Sequence, residues 1–332
     1  PTHVETFDPK MSAPAEFRSV VGAVKTNVPG IEIGGVFPKM ARSADKLAFV
    51  RSFAHNNSGH GGGTHWVMTG YDFPPADNNM APIKPGLGSI LARQRGANNP
   101  ATGLPTYVRL NGIYGDGPAW LGTSYAPFDT SGNSRRNMDL KVALDRLNDR
   151  RTLLKNFDTI DRRVDRSGLL DGLDSFETQA FDLILSRARE VFDARREDPR
   201  TRDHYGARLG EQLLLARRLC EAGVGFVTIH FGGWDMHGQI KAGMESLGPQ
   251  VDRAVAAFVE DCHQRGLDKD ILLVITGEFG RTPRINPSAG RDHWAPLSTL
   301  ALAGGGLRMG QVVGESNAKA EVPKSKPIAE LV

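Results

Sequence analysis

The amino-acid sequence predicts an α/β fold in which strands and helices alternate along the chain. Short apolar runs alternate with helical segments and glycine-rich loops, and this order favours right-handed crossover connections. The run 271–276, ILLVIT, is almost continuously apolar, as is typical of a central strand in a parallel sheet. Polar residues follow several of these runs, at the position where α/β proteins form their ligand sites.

Strands are predicted where β-branched and aromatic residues lie between turn-forming residues. The predicted strands are residues 47–53, 107–110, 224–231, 271–276 and 298–303, with a further short strand at 311–313. Helices are predicted to begin at 64–68 and to cover 87–94 and 248–264. Gly266 suits the position just after the last helix, where a left-handed backbone is common.

Between residues 135 and 222, leucines and charged residues recur at helical spacing, as in VALDRLNDRR and LLLARRLCEAG. Charged residues three or four apart commonly pair on a solvated helix face. We therefore predict a helical insertion at about 135–222 within a single α/β domain that covers residues 1–332, and not a separate catalytic unit.

The composition argues against several classes of protein. The net charge is only +3 and the basic residues are scattered, which gives no support to a nucleic-acid partner. No apolar run approaches the length needed to span a bilayer. Cys220 and Cys262 lie in helical segments away from the polar clusters, so buried thiols are favoured over a disulfide or a metal–thiolate cluster.

The stretch 224–238, VGFVTIHFGGWDMHG, is the strongest candidate for a functional segment. Its predicted strand is broken by Gly232-Gly233, and Asp235 and His237 follow the break, two residues apart. Ligands of α/β proteins bind beyond the carboxyl ends of strands. Carboxylate and imidazole groups at that position are candidate metal ligands. The alternative is that both side chains only cap and brace the fold.

Three other polar clusters could join this site. They are His55, His60 and His65; Glu278 with Arg281 and Arg284; and Asp292 with His293. A hard or borderline divalent ion suits such a mixture of imidazole and carboxylate groups. The ion could polarise an ester oxygen or activate a bound water. The forked donors of the two arginines could grip a tetrahedral oxyanion.

Each cluster also has a purely structural interpretation. Glu278 could complement a helix dipole, Asp292 and His293 could form a packed turn, and the arginines could pair with surface carboxylates. Histidines inside strand or helix patterns are interpreted as structural, namely His204, His230 and His263. The glycine run 61–63 predicts a close approach of two backbones. It lacks the Lys-Ser/Thr ending of a phosphate-binding P-loop.

Five stretches together resemble one family: SGHGGGTHWVMTGY, FGGWDMHG, TGEFGRTPRIN, GRDHWAP and GGGLRMGQVVGES, in this order. The sequence resembles the bacterial exported, sulfatase-like family catalogued as domain of unknown function 1501, which is placed in the alkaline phosphatase superfamily. The likeness runs from residue 1 to about residue 327, and GEFGRTP with GRDHW is its most specific part. It implies an alkaline-phosphatase-like, doubly wound and mostly parallel sheet sandwiched by helices, with a metal-centred site at the strand ends.

The resemblance also bears on the nucleophile. In the superfamily this residue opens a helix at a fixed distance before a Thr-Gly pair, which here is Thr69-Gly70. The matching position is His60, and there is no Cys-x-Pro-x-Arg motif, so formylglycine sulfatase chemistry is not supported. We interpret His60 as a metal ligand, with a nucleophile as the alternative.

The metal ligands implied by the resemblance are matched only in part. The superfamily's Asp-His pair after a central strand corresponds to Glu278-Phe279, and its last histidine ligand corresponds to His293. Asp235 and His237 lie two residues apart, whereas the superfamily's acid and imidazole lie four apart. These differences predict one ion, or none, instead of a complete two-metal site.

The leading hypothesis is a metal-dependent hydrolase of phosphate or sulfate esters, acting on small-molecule or glycan substrates. The predicted ligands of a divalent ion (zinc, manganese, magnesium or calcium) are His60, Asp235, His237, Glu278 and His293. His65 and Asp292 are expected to support these ligands or to replace one of them, and Arg281 is expected to face the substrate oxyanion. The alternative is a catalytically inactive binding or assembly module on the same fold.

The resemblance further implies an exported protein, located in the periplasm or at the cell surface. The family begins with a strand leading into Gly-Gly-Pro-Ser/Thr-His, of which Pro1-Thr2-His3 is present here, and it continues into a closing helix. We therefore expect a domain that is truncated at both ends.

Overall fold

The computed structural model describes residues 1–72, 82–113, 115–131 and 188–324. The part of the predicted helical insertion before residue 188 lies outside these residues, and its remainder is mostly helical. The α-helices of the described residues are α1 (Pro38–Arg42), α2 (His60–Thr69), α3 (Leu87–Arg95), α4 (Ala188–Phe192), α5 (Pro199–Tyr205), α6 (Leu209–Glu221) and α7 (Ile240–Gln264). Short 3-10 turns lie at Ala15–Phe17, Ala44–Lys46, Ala119–Leu121, Thr123–Tyr125 and Ala194–Arg196.

The strands form several small sheets. They are β1 (Ala23–Lys25), β2 (Glu32–Gly34), β3 (Ala48–Val50), β4 (Tyr107–Arg109), β5 (Phe128–Asp129), β6 (Phe226–Thr228), β7 (Leu272–Thr276), β8 (Gly280–Arg281), β9 (His293–Trp294), β10 (Leu300–Gly304) and β11 (Gln311–Val313). A four-stranded sheet has the order β11-β3-β10-β7, and a three-stranded parallel sheet has the order β5-β4-β6. The pairs β1-β2 and β8-β9 are antiparallel. The predicted α/β class is confirmed.

The prediction of a central parallel strand at 271–276 is wrong in its pairing. Within the described residues, β7 is at the edge of the four-stranded sheet and pairs antiparallel with β10. Leu272 and Val274 are exposed, whereas Leu273 and Ile275 pack against the main core. A continuous apolar run shows that a segment favours a strand, but it carries no information about the direction of its neighbour.

The strand predicted at 224–231 is shorter than expected, because only Phe226–Thr228 forms ladder pairs with β4. The residues that follow leave the sheet. The carbonyl of His230 accepts a hydrogen bond from the Asn111 side chain at 2.7 Å. The chain then passes through Gly232-Gly233 to the candidate site.

Helix α7 begins eight residues before the predicted start at 248 and contains Pro249. Tertiary contacts set the observed start, because the N–H groups of Gln239 and Ile240 donate to the carbonyls of Ser288 and Ala289 at 3.1 and 2.9 Å. The beginning of α7 is thereby attached to a loop of the candidate site.

The end of α7 agrees with the prediction. Gly266 has a φ of +71°, and the N–H of Leu267 donates to the carbonyl of Cys262 at 2.8 Å. This pattern satisfies carbonyls that the last helical turn leaves without an intrahelical partner. Helix α3 likewise matches the helix predicted at 87–94.

Helix α2 begins at His60, four residues before the predicted opening. Its glycines allow the close approach that the sequence predicted. A Cβ atom on Gly62 would lie 2.2 Å from the Asn57 side chain, and one on Gly63 would lie 2.9 Å from the Glu278 carbonyl oxygen. The glycine run thus lets α2 lie directly against the segment that carries Glu278.

The main core lies where α1, α5, α6 and α7 pack against the four-stranded sheet. Phe7 contacts both Phe37 and Phe49, with ring centroids 6.2 and 5.1 Å apart. Each such buried side chain contributes about 1.5–3 kcal/mol to folding. None of the helices in the described part of the chain combines the length and apolarity that a membrane crossing requires.

Candidate metal site

Four segments that are distant in sequence supply the side chains of the candidate site. Asp235 and His237 lie in the loop between β6 and α7, Glu278 lies between β7 and β8, His293 is in β9, and His60 opens α2. The structure brings these five predicted ligands close together. Strand β6 belongs to a parallel sheet, and Asp235 and His237 follow its carboxyl end. This is the position where α/β proteins form their ligand sites.

The Asp235 carboxylate is at the centre of this group. The Nε2 atoms of His237 and His293 each lie 3.0 Å from its Oδ1 atom, and Nε2 of His60 lies 3.4 Å from Oδ2. The two nitrogens of His237 and His293 are 3.2 Å apart. One ligand atom each from His60, Asp235 and His293 falls within 4.8 Å of the others, a spacing that could hold a metal ion.

The other ring nitrogen of each imidazole contacts an oxygen atom. The Nδ1 atoms of His60, His237 and His293 lie 2.9 Å from Glu278 Oε1, 2.7 Å from Asp292 Oδ1 and 2.8 Å from the Ser58 carbonyl oxygen, respectively. Because these oxygens are acceptors, each of the three rings in its neutral form carries its proton on Nδ1. Metal-binding histidines are commonly oriented in this way.

This tautomer directs three Nε2 lone pairs toward an anionic carboxylate. Arg281 Nη2 donates a hydrogen bond to Asp235 within the group, but the lone pairs themselves need a donor or a cation. A divalent cation held by His60, Asp235 and His293 would satisfy two of these nitrogens and the carboxylate, and Nε2 of His237 lies 3.0 Å from the same carboxylate. The donor set therefore fits a metal ion.

The carboxylates of Asp235 and Glu278 both have lowered pKa values. Burial would raise the pKa of Asp235, but the hydrogen bonds with Arg281 and His293 and the charges of Arg281 and His237 together hold this pKa well below its usual range. Burial would also raise the pKa of Glu278, yet the hydrogen bond and the charge of His60 act to lower it below its usual range. Both groups are therefore ionised at neutral pH.

The pKa values of His60 and His293 shift in opposite directions. The hydrogen bond with Glu278 raises the pKa of His60, whereas burial lowers the pKa of His293. The ring of Phe279 packs against both rings, with centroids 5.2 Å from His60 and 4.3 Å from His293, and the two imidazole centroids are 4.6 Å apart. This side chain therefore supports two histidines by contact.

Arg281 lies behind Asp235 and is only 1% exposed. Besides its contact with Asp235, its Nη1 atom donates to the Arg291 carbonyl at 3.3 Å. The predicted contact between Arg281 and a substrate oxyanion stays a prediction. The contact that is seen holds the carboxylate at the centre of the site. Arg284 is exposed and has no such contact in the described residues.

His65 does not join the other histidines. It is buried within α2, and its Nδ1 atom lies 3.0 Å from the Tyr71 carbonyl oxygen, toward the end of the helix. His55 has a role that the sequence did not reveal. Its Nε2 atom lies 2.6 Å from the Glu278 carbonyl oxygen, and its ring stacks on Trp66 at 5.9 Å. It therefore helps to fix the backbone of the Glu278 segment.

The remaining histidines that we interpreted as structural lie at the surface. His204 pairs with Glu260 at 2.9 Å, and His263 lies 3.3 Å from Asp268. The sequence also gave no sign that Ser58 would contribute a carbonyl to His293, because any residue type can supply a backbone oxygen.

The start of α2 adds a positive feature to the site. Gly59 precedes His60 and provides no side-chain cap. The first N–H groups of a helix have no intrahelical partner and favour an anionic group nearby. The beginning of this helix therefore lies beside the candidate ligands with donors that an anion could use.

One protein family matches the chain. Its description is "Protein of unknown function (DUF1501)", and the match covers residues 1–330. No curated protein and no solved structure gives a match. The family match agrees with the likeness found in the glycine-rich, FGGWDMHG, GEFGRTP and GRDHW stretches.

Proposed function

The chain belongs to the DUF1501 family, and from the geometry of its site we propose that it is a metal-dependent hydrolase of phosphate or sulfate esters. The observation that carries this proposal is the convergence of three imidazole Nε2 atoms on the Asp235 carboxylate. The proposed metal ligands are His60, Asp235, His237 and His293. Glu278, predicted as a ligand, is reassigned to the orientation of His60.

The donor set favours some ions over others. Three imidazoles and one carboxylate suit zinc or a similar transition-metal ion, whereas magnesium and calcium prefer ligands that are all oxygen. A divalent ion bound here would supply a Lewis acid that polarises an ester oxygen or lowers the pKa of a bound water to about 7.

The chain's own groups support an anionic ester as the substrate. The side chains of Asp235 and His237 are about half exposed, at 50% and 48%, so a molecule from solution can reach them. The free N–H groups at the start of α2 favour a phosphate or sulfate group beside the ligands. Arg281 keeps the Asp235 carboxylate ionised and in place for the cation.

The proposal extends to the fold and the location of the protein. The placement of the site at the carboxyl end of β6 supports an alkaline-phosphatase-like fold within that superfamily. The likeness of the sequence to an exported bacterial family supports a location in the periplasm or at the cell surface, with a small-molecule or glycan ester as the substrate.

One observation favours the alternative of a catalytically inactive binding module. The residue that opens α2 is His60, which has no hydroxyl or thiol for attack on an ester. Hydrolysis at this site would therefore depend on an activated water, whereas a binding module would need only the metal and the helix N–H groups.

Metal analysis of purified protein tests the site. We expect about one ion per chain in the wild type and a loss of the ion in Asp235→Ala and His237→Ala. His263→Ala is the matched control, because that histidine also lies beside an acid but is outside the site. Equal and negligible metal in the wild type and the site variants would overturn the proposal.

Ester turnover then separates the two functions. The wild type is assayed with p-nitrophenyl phosphate and p-nitrophenyl sulfate in the presence of Zn, Mn, Mg or Ca. Turnover that requires added metal and disappears in His60→Ala supports the hydrolase. Stoichiometric metal binding without turnover of either ester supports the binding module.

A further inference from the structure

The loop from Thr282 to Asp292 lies flush against the segment that carries His237. A Cβ atom on Gly290 would approach the carbonyl group of His237 to 2.2 Å, so the two backbones are in direct contact. The N–H of Thr282 donates to the Asp292 carbonyl oxygen at 2.8 Å and closes the loop at its base. At the centre of this loop is Asn286, which is half-buried.

The side-chain amide of Asn286 uses its full hydrogen-bonding capacity. Its carbonyl oxygen accepts from the N–H groups of Ser288 and Gly290 at 3.0 and 2.9 Å. Its nitrogen donates to the His237 carbonyl oxygen at 2.9 Å and reaches both Asp292 carboxylate oxygens at 3.3 Å. An amide has two donor hydrogens and two acceptor lone pairs, and all four are engaged.

These contacts connect Asn286 to a candidate ligand by two routes. One route runs through the backbone of His237. The other runs through the Asp292 carboxylate, whose Oδ1 atom lies 2.7 Å from Nδ1 of the same histidine. We propose that Asn286 is a positioning residue of the metal site, which aligns Asp292 and the His237 backbone so that Nε2 of His237 faces the ion. This inference rests on the proposed metal site.

Asn317 provides a matched control in the same chain. Its side-chain oxygen accepts from the Glu321 N–H at 2.7 Å, and its nitrogen donates to Glu321 Oε2 at 3.0 Å. It therefore closes a local loop with similar hydrogen bonds but contacts no candidate ligand. Substitution of a residue that only closes a loop would affect stability and would leave metal binding unchanged.

The first test measures metal affinity by competition with a chelator and by the visible absorption of the Co(II)-loaded protein. Asn286→Asp places a second carboxylate beside Asp292, and we expect about 10- to 100-fold weaker binding together with a changed Co(II) spectrum. Asn317→Asp should keep both wild-type values. Asn286→Ser, which retains a short acceptor for the loop N–H groups, replaces Asn286→Asp if that variant does not fold.

A double-mutant cycle with Asp292→Ala shows whether Asn286 acts through that carboxylate. If it does, Asn286→Ser weakens metal binding in the wild-type background but much less in the Asp292→Ala background. Equal losses in both backgrounds would show that the carboxylate route is wrong.

A readout without metal separates this inference from the proposed function. Nitrogen-15 shifts of the His237 ring in metal-free protein at alkaline pH report which nitrogen carries the proton. We expect the Nδ1–H tautomer in the wild type and Asn317→Asp, and a mixture in Asn286→Asp. Absence of metal from the wild type would overturn the proposed function. Unchanged tautomer and unchanged affinity in the Asn286 variants would overturn the positioning role alone.

Discussion

At the scale of single residues, the two acids beside the imidazoles act on the side of the rings that faces away from Asp235. Glu278 contacts Nδ1 of His60, and Asp292 contacts Nδ1 of His237. An acid in this position sets the orientation of a ring and increases the basicity of its other nitrogen. Its removal should weaken metal binding without removing a ligand.

Glu278→Ala should accordingly lower metal affinity about 10- to 100-fold while the number of ions at saturation stays the same. Glu278→Gln should lose less, because its amide oxygen can still accept from His60. Titration with zinc checks both values, and Glu245→Gln on the exposed face of α7 serves as the control. A saturating stoichiometry near zero in Glu278→Ala would instead make Glu278 a ligand, as the sequence first suggested.

At the scale of elements, the glycines of α2 determine how closely this helix approaches the Glu278 segment. We expect Gly63→Ala to lower the free energy of unfolding by about 1–3 kcal/mol, because the new Cβ atom would lie 2.9 Å from the Glu278 carbonyl oxygen. Metal affinity should fall as well, since His60 and Glu278 move apart.

Urea unfolding and zinc titration measure the two effects of Gly63→Ala. Gly112→Ala is the control, because a Cβ atom on Gly112 would meet nothing within 4 Å. Equal stability and equal affinity in the two variants would show that α2 can shift without disturbing the site.

An ion-pair cluster connects α6 to α7 and to the segment just before α5. Arg217 of α6 is buried, and its guanidinium lies 2.6 Å from Glu197 and 2.9 Å from Asp261 of α7. Burial would raise the pKa of Glu197, but its contacts with Arg217, Arg218 and Arg265 together lower this pKa from 4.5 to about 2. Glu197 therefore stabilises the fold only while its carboxylate is ionised.

The pH dependence follows from this lowered pKa. The contribution of Glu197 is fully present above its unfolded pKa near 4.5 and is lost as the pH falls through about 2. Glu197→Gln should reduce the free energy of unfolding at pH 7 by about 3 kcal/mol, and its stability should fall less steeply between these pH values. Denaturation at a series of pH values tests this. If the free energy of unfolding fell equally steeply with pH in the wild type and in Glu197→Gln, the prediction would be wrong.

At the scale of the whole molecule, one buried ion pair joins the beginning of the chain to the loop of the candidate site. Arg291 and Glu5 are both fully buried and lie 2.9 Å apart. Arg291 also donates to the carbonyls of Arg18 and Thr282 at 2.9 and 3.0 Å. The residue beside Asp292 is thereby attached to two segments near the start of the sequence.

Arg291→Met should lower the free energy of unfolding by about 3–5 kcal/mol, because it leaves the Glu5 carboxylate buried and unpaired. The double variant Arg291→Met/Glu5→Gln should regain part of this loss. Chemical denaturation gives the values, and Arg195→Met, which breaks an exposed pair with Asp193, should cost less than about 1 kcal/mol. Similar losses of unfolding free energy in Arg291→Met and Arg195→Met would show that the buried pair does not hold these segments together.

Local sequence patterns were sufficient to predict several parts of this protein. The α/β class, helix α3, the end of α7 at Gly266 and the close approach at the glycine run all depend on residues a few positions apart. The candidate residues Asp235, His237 and His293 were found because ligand-type side chains follow a strand-like run or lie in a specific family motif. The metal-dependent reaction assigned to them stays a prediction.

Only the tertiary structure decided how these parts are arranged. It determined the antiparallel pairing of β7, the position of His65 away from the site, the contact of Glu278 with Nδ1 of His60 and the place of Asn286 in the loop. His60 and Glu278 are 218 residues apart in sequence. Such contacts depend on how separate elements pack, and a short window of sequence contains no information about which distant atoms will meet.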